Sequence, residues 1–266
     1  GLFVPFPSAP FQLSEMEKSL RWLFREKPVG AVLVEPVQAR GGINVPPPQF
    51  LPRLRRLCDE HDALLIVDEV YTGFGRTGKW FACEHSGTVP DLICLGKALT
   101  GGFPLSACVG RAELMDAAWP ISSGEAIHTS TFLGHPVGCA MALAQIETIR
   151  EQHLVNRSEQ LGKFLLGELG RGLGQSQLEL AVRGVGLMAG VEISLAGRVP
   201  ATIVALRAIK DMLNRGFIVL PEGAHSNVIS LTPPLTIGKS QLASAVEALD
   251  ASLGGSKPAR RKKVRA

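Results

Sequence analysis

The sequence has 266 residues, enough for one large domain or two modest ones. Hydrophobic residues make up 45% and charged residues 20%, the balance of an ordinary globular protein, and no apolar run is long enough to cross a bilayer. The net charge of +4 is local: the stretch 257–265 holds six of the 28 basic residues and no acid, so the rest carries 22 bases against 24 acids, and the tail reads as a disordered, solubilising end rather than a nucleic-acid contact.

The opening residues 1–12 are proline-rich and aperiodic. Ser14 followed by Glu17 matches a capping box and predicts a helix to about residue 25, with Leu20, Leu23 and Phe24 on one face. Residues 31–34 read as a strand ending on Glu35. The prolines at 46–48 force an extended loop, and Phe50, Leu51, Leu54 and Leu57 predict a helix to about residue 61. Residues 63–67 form a short apolar run ending on Asp68, and residues 91–95 form a second, ending in Gly96 and Lys97. Such runs, bounded by turn residues, predict buried strands of a mostly parallel sheet.

A third strand is expected over 105–109, then a Ser-, Thr-, Gly- and His-rich loop over 122–132. Pro136 suits the first turn of a helix over 137–151, and a second helix follows over 158–173. The remainder mixes strands at 178–183, 188–193, 217–220 and 228–231 with helices at 202–215 and 241–253, an α+β pattern. The five cysteines are an odd number without CxxC spacing; they predict reduced, buried thiols in a cytoplasmic protein, with neither a disulfide framework nor a zinc site. No signal peptide or membrane segment is visible.

Asp68 and Lys97 thus stand at two strand ends, 29 positions apart. In open α/β sheets the carboxyl edge of the strands is where ligands sit. Glycines at 73, 75, 78, 101 and 102 permit close backbone approach beside both groups. A lysine among apolar neighbours loses its charge more readily, and the neutral amine attacks a carbonyl to form a Schiff base. A carboxylate opposite it keeps a pyridine nitrogen protonated. Those are the two groups that pyridoxal 5'-phosphate (PLP) requires.

The Asp68-Glu69-Val70 step, the loop Gly73-Phe74-Gly75-Arg76-Thr77-Gly78, Pro90-Asp91, and Lys97-Ala98-Leu99 with Gly101-Gly102 resemble the class III aminotransferases, and the likeness runs over about 28–237. The resemblance implies an α/β fold: a three-layer sandwich with a mostly parallel sheet, as in an incomplete PLP fold type I large domain, over 1–150. A small α+β C-terminal domain over 151–254 and the basic tail 255–266 would follow. It implies a homodimer with the site at its interface. The implied activity is PLP-dependent transfer of an amino group from a primary amine or amino acid to a 2-oxo acid.

The resemblance assigns Lys97 and Asp68 to catalysis and to the cofactor. Val70, two residues past Asp68, is expected to return to the same strand face and pack under the ring; Glu69 is expected to point elsewhere. Tyr71 stands where many relatives carry a glutamine near the cofactor's phenolic oxygen, and its hydroxyl can donate there or face substrate. Thr131 matches a threonine that donates to the phosphate held by the neighbouring subunit, with His128 and His135 shaping the loop. Glu35, Gln38 and Ser230 form the expected substrate-binding set. Ser230 occupies the place of an arginine that binds a substrate carboxylate in many relatives. A serine cannot replace that bidentate clamp, so a terminal primary amine or an amino sugar is expected rather than an α-amino acid held in the usual way. Each residue also has a structural reading: surface lysine, loop-capping carboxylate, core valine, helix-entry threonine.

The family's N-terminal phosphate loop and cofactor-stacking aromatic ring are not found in this sequence, so either a truncated chain or a second chain that supplies them is expected. Two other readings stay open: a non-catalytic dimerisation module, and a PLP decarboxylase or aminomutase on the same fold.

Overall fold

The computed structural model describes residues 1–122, 124, 128–173 and 178–254. The basic tail 255–266 and part of the 122–132 loop lie outside the described residues. The chain divides into two compact units, one taking in 1–37 and 45–156, the other 38–44 and the residues from 157 on. This differs from a cut at 150/151 in two places. The second unit begins inside a helix, and it recruits the distant segment 38–44.

The first unit contains α1 (Pro10–Glu26), β1 (Ala31–Val34), α2 (Phe50–Glu60), β2 (Leu64–Asp68), β3 (Leu92–Leu95), β4 (Ala107–Gly110), α3 (Ala112–Ala118) and α4 (Pro136–Glu151). The sheet order is β1-β2-β3-β4, parallel except for β4. Helix α1 starts earlier than the Ser14–Glu17 box implies. Pro10 occupies its first turn, and the Gln12 side chain accepts the N–H groups of Ser8 and Ala9 at 2.8 and 3.0 Å. Glu17 instead pairs with Arg21, Arg53 and Arg56. The short helix α3 was not legible in the sequence.

Alternation along β2 decides the packing. Leu65 and Val67 are fully buried in a cluster with Leu54 and Leu57 of α2 and Leu13, Met16 and Leu20 of α1. Leu64 and Ile66, on the other face, are only half-buried, and Leu33 of β1 is 66% exposed. The apolar runs predict burial on both faces; among the described residues the well-packed core lies on one. Each fully buried leucine contributes about 1.5–3 kcal/mol. Asp91 locks this unit: its Oδ2 accepts the Leu65 N–H and an Arg55 N–H, both at 2.7 Å. Burial pushes its carboxyl pKa up, but the Arg55 and Leu65 hydrogen bonds outweigh that and hold it below the ordinary value.

The second unit contains β5 (Glu179–Val185), β6 (Met188–Leu195), β7 (Val199–Pro200), α6 (Thr202–Asn214), β8 (Leu220–Glu222), β9 (Val228–Leu231) and α7 (Lys239–Ser252), with most of α5 (Leu154–Gly172). The sheet order is β5-β6-β9-β8, β7 beside β6, and every pairing is antiparallel. Strand β8 lies later than the expected 217–220, because Leu220 and Glu222 flank Pro221 on a strand paired with β9 alone, where a missing N–H is tolerated. Phe217 and Val219 pack on the core instead. That core holds Leu165, Leu169, Leu187, Ile193, Met212, Ile229 and Leu249. The segment 38–44 is held by Arg183, which donates to the Gly42 carbonyl at 2.6 and 2.9 Å and to the Ile43 carbonyl at 3.1 Å, while pairing with Glu192 at 2.6 Å.

Cys58 and Cys83 are buried as expected, and burial pushes their thiols up to about 11 and about 12. Cys94 is half-buried, whereas Cys108 and Cys139 are exposed, contrary to a uniformly buried set. Among the described residues no helix is long and apolar enough to cross a membrane, and no three His, Cys, Asp or Glu side chains gather as metal ligands.

Candidate active site

Strand register brings the two candidate catalytic residues to one edge. Asp68, the last residue of β2, lies directly opposite Cys94 of β3 in the parallel pair. Lys97 comes three residues later, just past the carboxyl end of β3. Gly96 makes that end close: a Cβ there would lie 3.3 Å from Val70 Cγ1. The backbone of Lys97 is left-handed, with φ of +42°. A non-glycine residue held there costs roughly 1–3 kcal/mol, and such strain concentrates at functional sites. Its side chain is exposed, and the amine lies 5.0 Å from the centroid of the Tyr71 ring.

The turn after Asp68 is built locally. Asp68 Oδ1 accepts the Val70 N–H at 2.9 Å, the Asx geometry that ends a strand. The strand stops at Asp68, so alternation does not carry Val70 onto the same face. Val70 is instead half-buried against Gly96.

Glu69, expected to point elsewhere than Asp68, organises the loop that follows. It is fully buried, and its carboxylate accepts the Thr72 hydroxyl, the Ala82 N–H at 3.0 Å and the Cys83 N–H at 2.8 Å. It thereby closes the glycine loop 73–78 onto the 3₁₀ turn Ala82–Ser86. Burial pushes its pKa up, and the hydrogen bonds counter that only in part. Within the loop, Phe74 and Gly75 take left-handed φ values of 57° and 88°. Two signals pointed to Glu69: a carboxylate next to Asp68, and a following loop whose N–H groups need an acceptor.

The remaining candidates are placed as follows. Thr131 is exposed in the turn before α4, where His135 contacts Phe103 and Phe132, ring centroids 5.2 and 5.9 Å apart. Glu35 follows β1, at the same carboxyl edge as Asp68. Gln38 lies in the second unit, bridged to Asn44 through both backbones and a 3.0 Å side-chain bond. Ser230 lies in β9 of the same unit, opposite Gly190 and Leu220; it is 2% exposed, and its hydroxyl is buried without a partner among the described residues. The structure therefore joins Asp68 to Val70 and Lys97 to Tyr71, both at the carboxyl edge of β2 and β3.

Residues 8–253 match the class III aminotransferase family model, and the chain belongs to that family. Its members depend on PLP. Among its relatives, the leucine/methionine racemase of Thermococcus litoralis is 41% identical over 85% of this chain and 50% of its own. The acetylornithine aminotransferase of Methanosarcina mazei is 41% identical over 83% and 51%, and the ornithine aminotransferase 1 of Staphylococcus saprophyticus is 39% identical over 80% and 50%. The chain thus spans about half the length of these curated relatives. A transaminase structure from the marine bacterium Virgibacillus superposes with a TM-score of 0.84 at 32% identity, over 91% of this chain and 57% of that one. An ornithine aminotransferase structure from Toxoplasma gondii, in which PLP partly occupies the active site, gives 0.80 at 32% identity over 95% and 57%.

Proposed function

We propose that this chain carries the lysine and the acid of a PLP-dependent aminotransferase, which moves an amino group from a primary amine to a 2-oxo acid. One observation supports this above the rest: the β2–β3 register sets Asp68 opposite Cys94, three residues before a strained, exposed lysine. PLP, when bound, supplies an electron sink for breaking bonds at the amine-bearing carbon. Asp68 would hold a proton on the ring nitrogen, and the Asx bond from Val70 fixes its orientation. Lys97 would anchor the aldehyde carbon and then, once freed, move a proton to and from the substrate carbon. Val70 and Tyr71 would bound the ring and its phenolic oxygen.

The relatives support a substrate class. Ornithine and acetylornithine both offer a terminal amine, the class expected from a serine at position 230. Glu35, at the carboxyl edge it shares with Asp68, belongs to this reading as a substrate-facing residue, whereas the burial of Ser230 in β9 supports its part only as the absence of a carboxylate clamp. Thr131 would serve the phosphate of a second copy in a cytoplasmic homodimer. The exposed apolar side chains around it, Phe132, Leu133, Val137 and Leu143, support such an interface. The racemase relative favours a second reading, in which the same residues invert an amino-acid centre without a 2-oxo acid.

The test is amino transfer from ornithine to 2-oxoglutarate with added PLP, followed by chromatography of the products. Glutamate formation that disappears in Lys97→Ala supports the proposal. Inversion of leucine or methionine with no glutamate overturns it in favour of the racemase reading.

A further inference from the structure

Strands β3 and β4 place Cys94 directly opposite Cys108. Arg111 N–H donates to the Asp91 carbonyl at 3.3 Å, which makes Asp91 and Arg111 a hydrogen-bonded pair. Pairs alternate along an antiparallel ladder, so Cys94 and Cys108, three steps on, form a non-hydrogen-bonded pair. In that type the Cα atoms are about 4.5 Å apart and the side chains approach most closely, within the Cα range of about 4.4–6.8 Å that a disulfide spans. Cys108 is exposed and Cys94 half-buried, so one thiol meets solvent while the other backs it. Burial, and after it the neighbouring Cys108 thiol, pushes the Cys94 thiol up.

The geometry points to a two-cysteine modification site, Cys108 with Cys94, that takes a small-molecule disulfide as its oxidant and closes to a cross-strand disulfide. Cys108, as thiolate, attacks one sulfur of the reagent; the reagent's S–S bond breaks, and the first small thiolate leaves and is protonated by water. Cys94 then loses its proton and attacks the Cys108 sulfur. The mixed S–S bond breaks, and the second small thiolate leaves with a proton. Two protein thiols are oxidised by two electrons, and one small disulfide is reduced to two thiols. The new bond encloses residues 95–107, the loop that bears Lys97. Nothing in this inference depends on the transamination reading.

The experiment treats the chain with oxidised glutathione, blocks remaining thiols with iodoacetamide and maps tryptic peptides without reduction. Cleavage after Lys97 and Arg111 puts the two cysteines on separate peptides, so the bond joins 80–97 to 98–111. Fragmentation must place it on Cys94, since Cys83 shares the first peptide. The expected result is that linked pair, with Cys58, Cys83 and Cys139 alkylated or unmodified. Cys94→Ser should leave glutathione attached to Cys108, and Cys108→Ser should leave residue 94 without glutathione or a cross-link. A wild-type chain that keeps glutathione on Cys108 while Cys94 is alkylated overturns the proposal, as does a link through any other cysteine.

Discussion

Replacing Glu69 with alanine tests the loop architecture most sharply. The change leaves the Ala82 and Cys83 N–H groups buried without an acceptor and frees the Thr72 hydroxyl. Two unpaired buried N–H groups cost about 1–3 kcal/mol each, or about 2–6 kcal/mol together. The carboxylate's own burial is unfavourable, as its raised pKa records, and relief of that penalty brings the net toward the lower half, about 2–4 kcal/mol. With a urea slope near 2 kcal/mol/M, the unfolding midpoint should fall by about 1–2 M. Trp80, which carries the carbonyl that accepts the Gly75 N–H, reports the transition by fluorescence alongside far-ultraviolet circular dichroism. Glu69→Gln keeps one acceptor and should lose about half as much. A pH series adds a signed check. A raised folded pKa gives stability that is full below about 4.5 and is lost as pH rises through the folded value. The advantage of wild type over Glu69→Gln should therefore narrow from acid to neutral pH. An alanine variant that unfolds at the wild-type urea concentration, or a gap that widens with pH, refutes this reasoning.

Other outcomes follow from the same packing. A Cβ on Gly162 would sit 2.2 Å from the Gly186 carbonyl oxygen, so Gly162→Ala should lower thermal stability by roughly 1–3 kcal/mol; an unchanged melting temperature would count against the tight α5–hairpin contact. Asp91→Asn should cost about 1.5–3 kcal/mol, read by urea titration. Because its folded pKa is depressed, that contribution is present above about 3.8 and is lost as pH falls through the folded value, so the two proteins should converge in acid. Arg183→Ala should speed amide exchange across 38–44, since three hydrogen bonds to that segment disappear; protection equal to wild type would show that the segment is held otherwise.

Much of the architecture could be read from pattern alone. The apolar runs before Asp68 and Lys97, and the helix beginning at Phe50, fall within a residue or two of their observed bounds, because periodicity and flanking turn residues specify them locally. What stayed illegible was non-local. Segment 38–44 joins the second unit through Arg183, more than a hundred residues away, and no local signal announces that. Helix α1 began at a proline turn rather than at the Ser14 box, because Glu17 is drawn into contacts with arginines on α2. For the candidate site, Asp68 and Lys97 could be named from strand ends and glycine loops. The role of Glu69 depends on N–H groups thirteen and fourteen residues on, and the end of the strand at Asp68 removes the alternation from which Val70 is placed. Ser230 is expected at the site only for the arginine it replaces, and the fold buries it.

The most direct test of the central claim is chemical labelling. The chain is incubated with PLP, reduced with borohydride and mapped by tandem mass spectrometry. A pyridoxyl group on Lys97, blocking cleavage there and yielding a joined 80–111 peptide, is the predicted result, and Asp68→Asn should weaken the binding that precedes it. Label that settles on another lysine such as Lys79, or a Lys97 that is still cleaved and unmodified, would contradict the account.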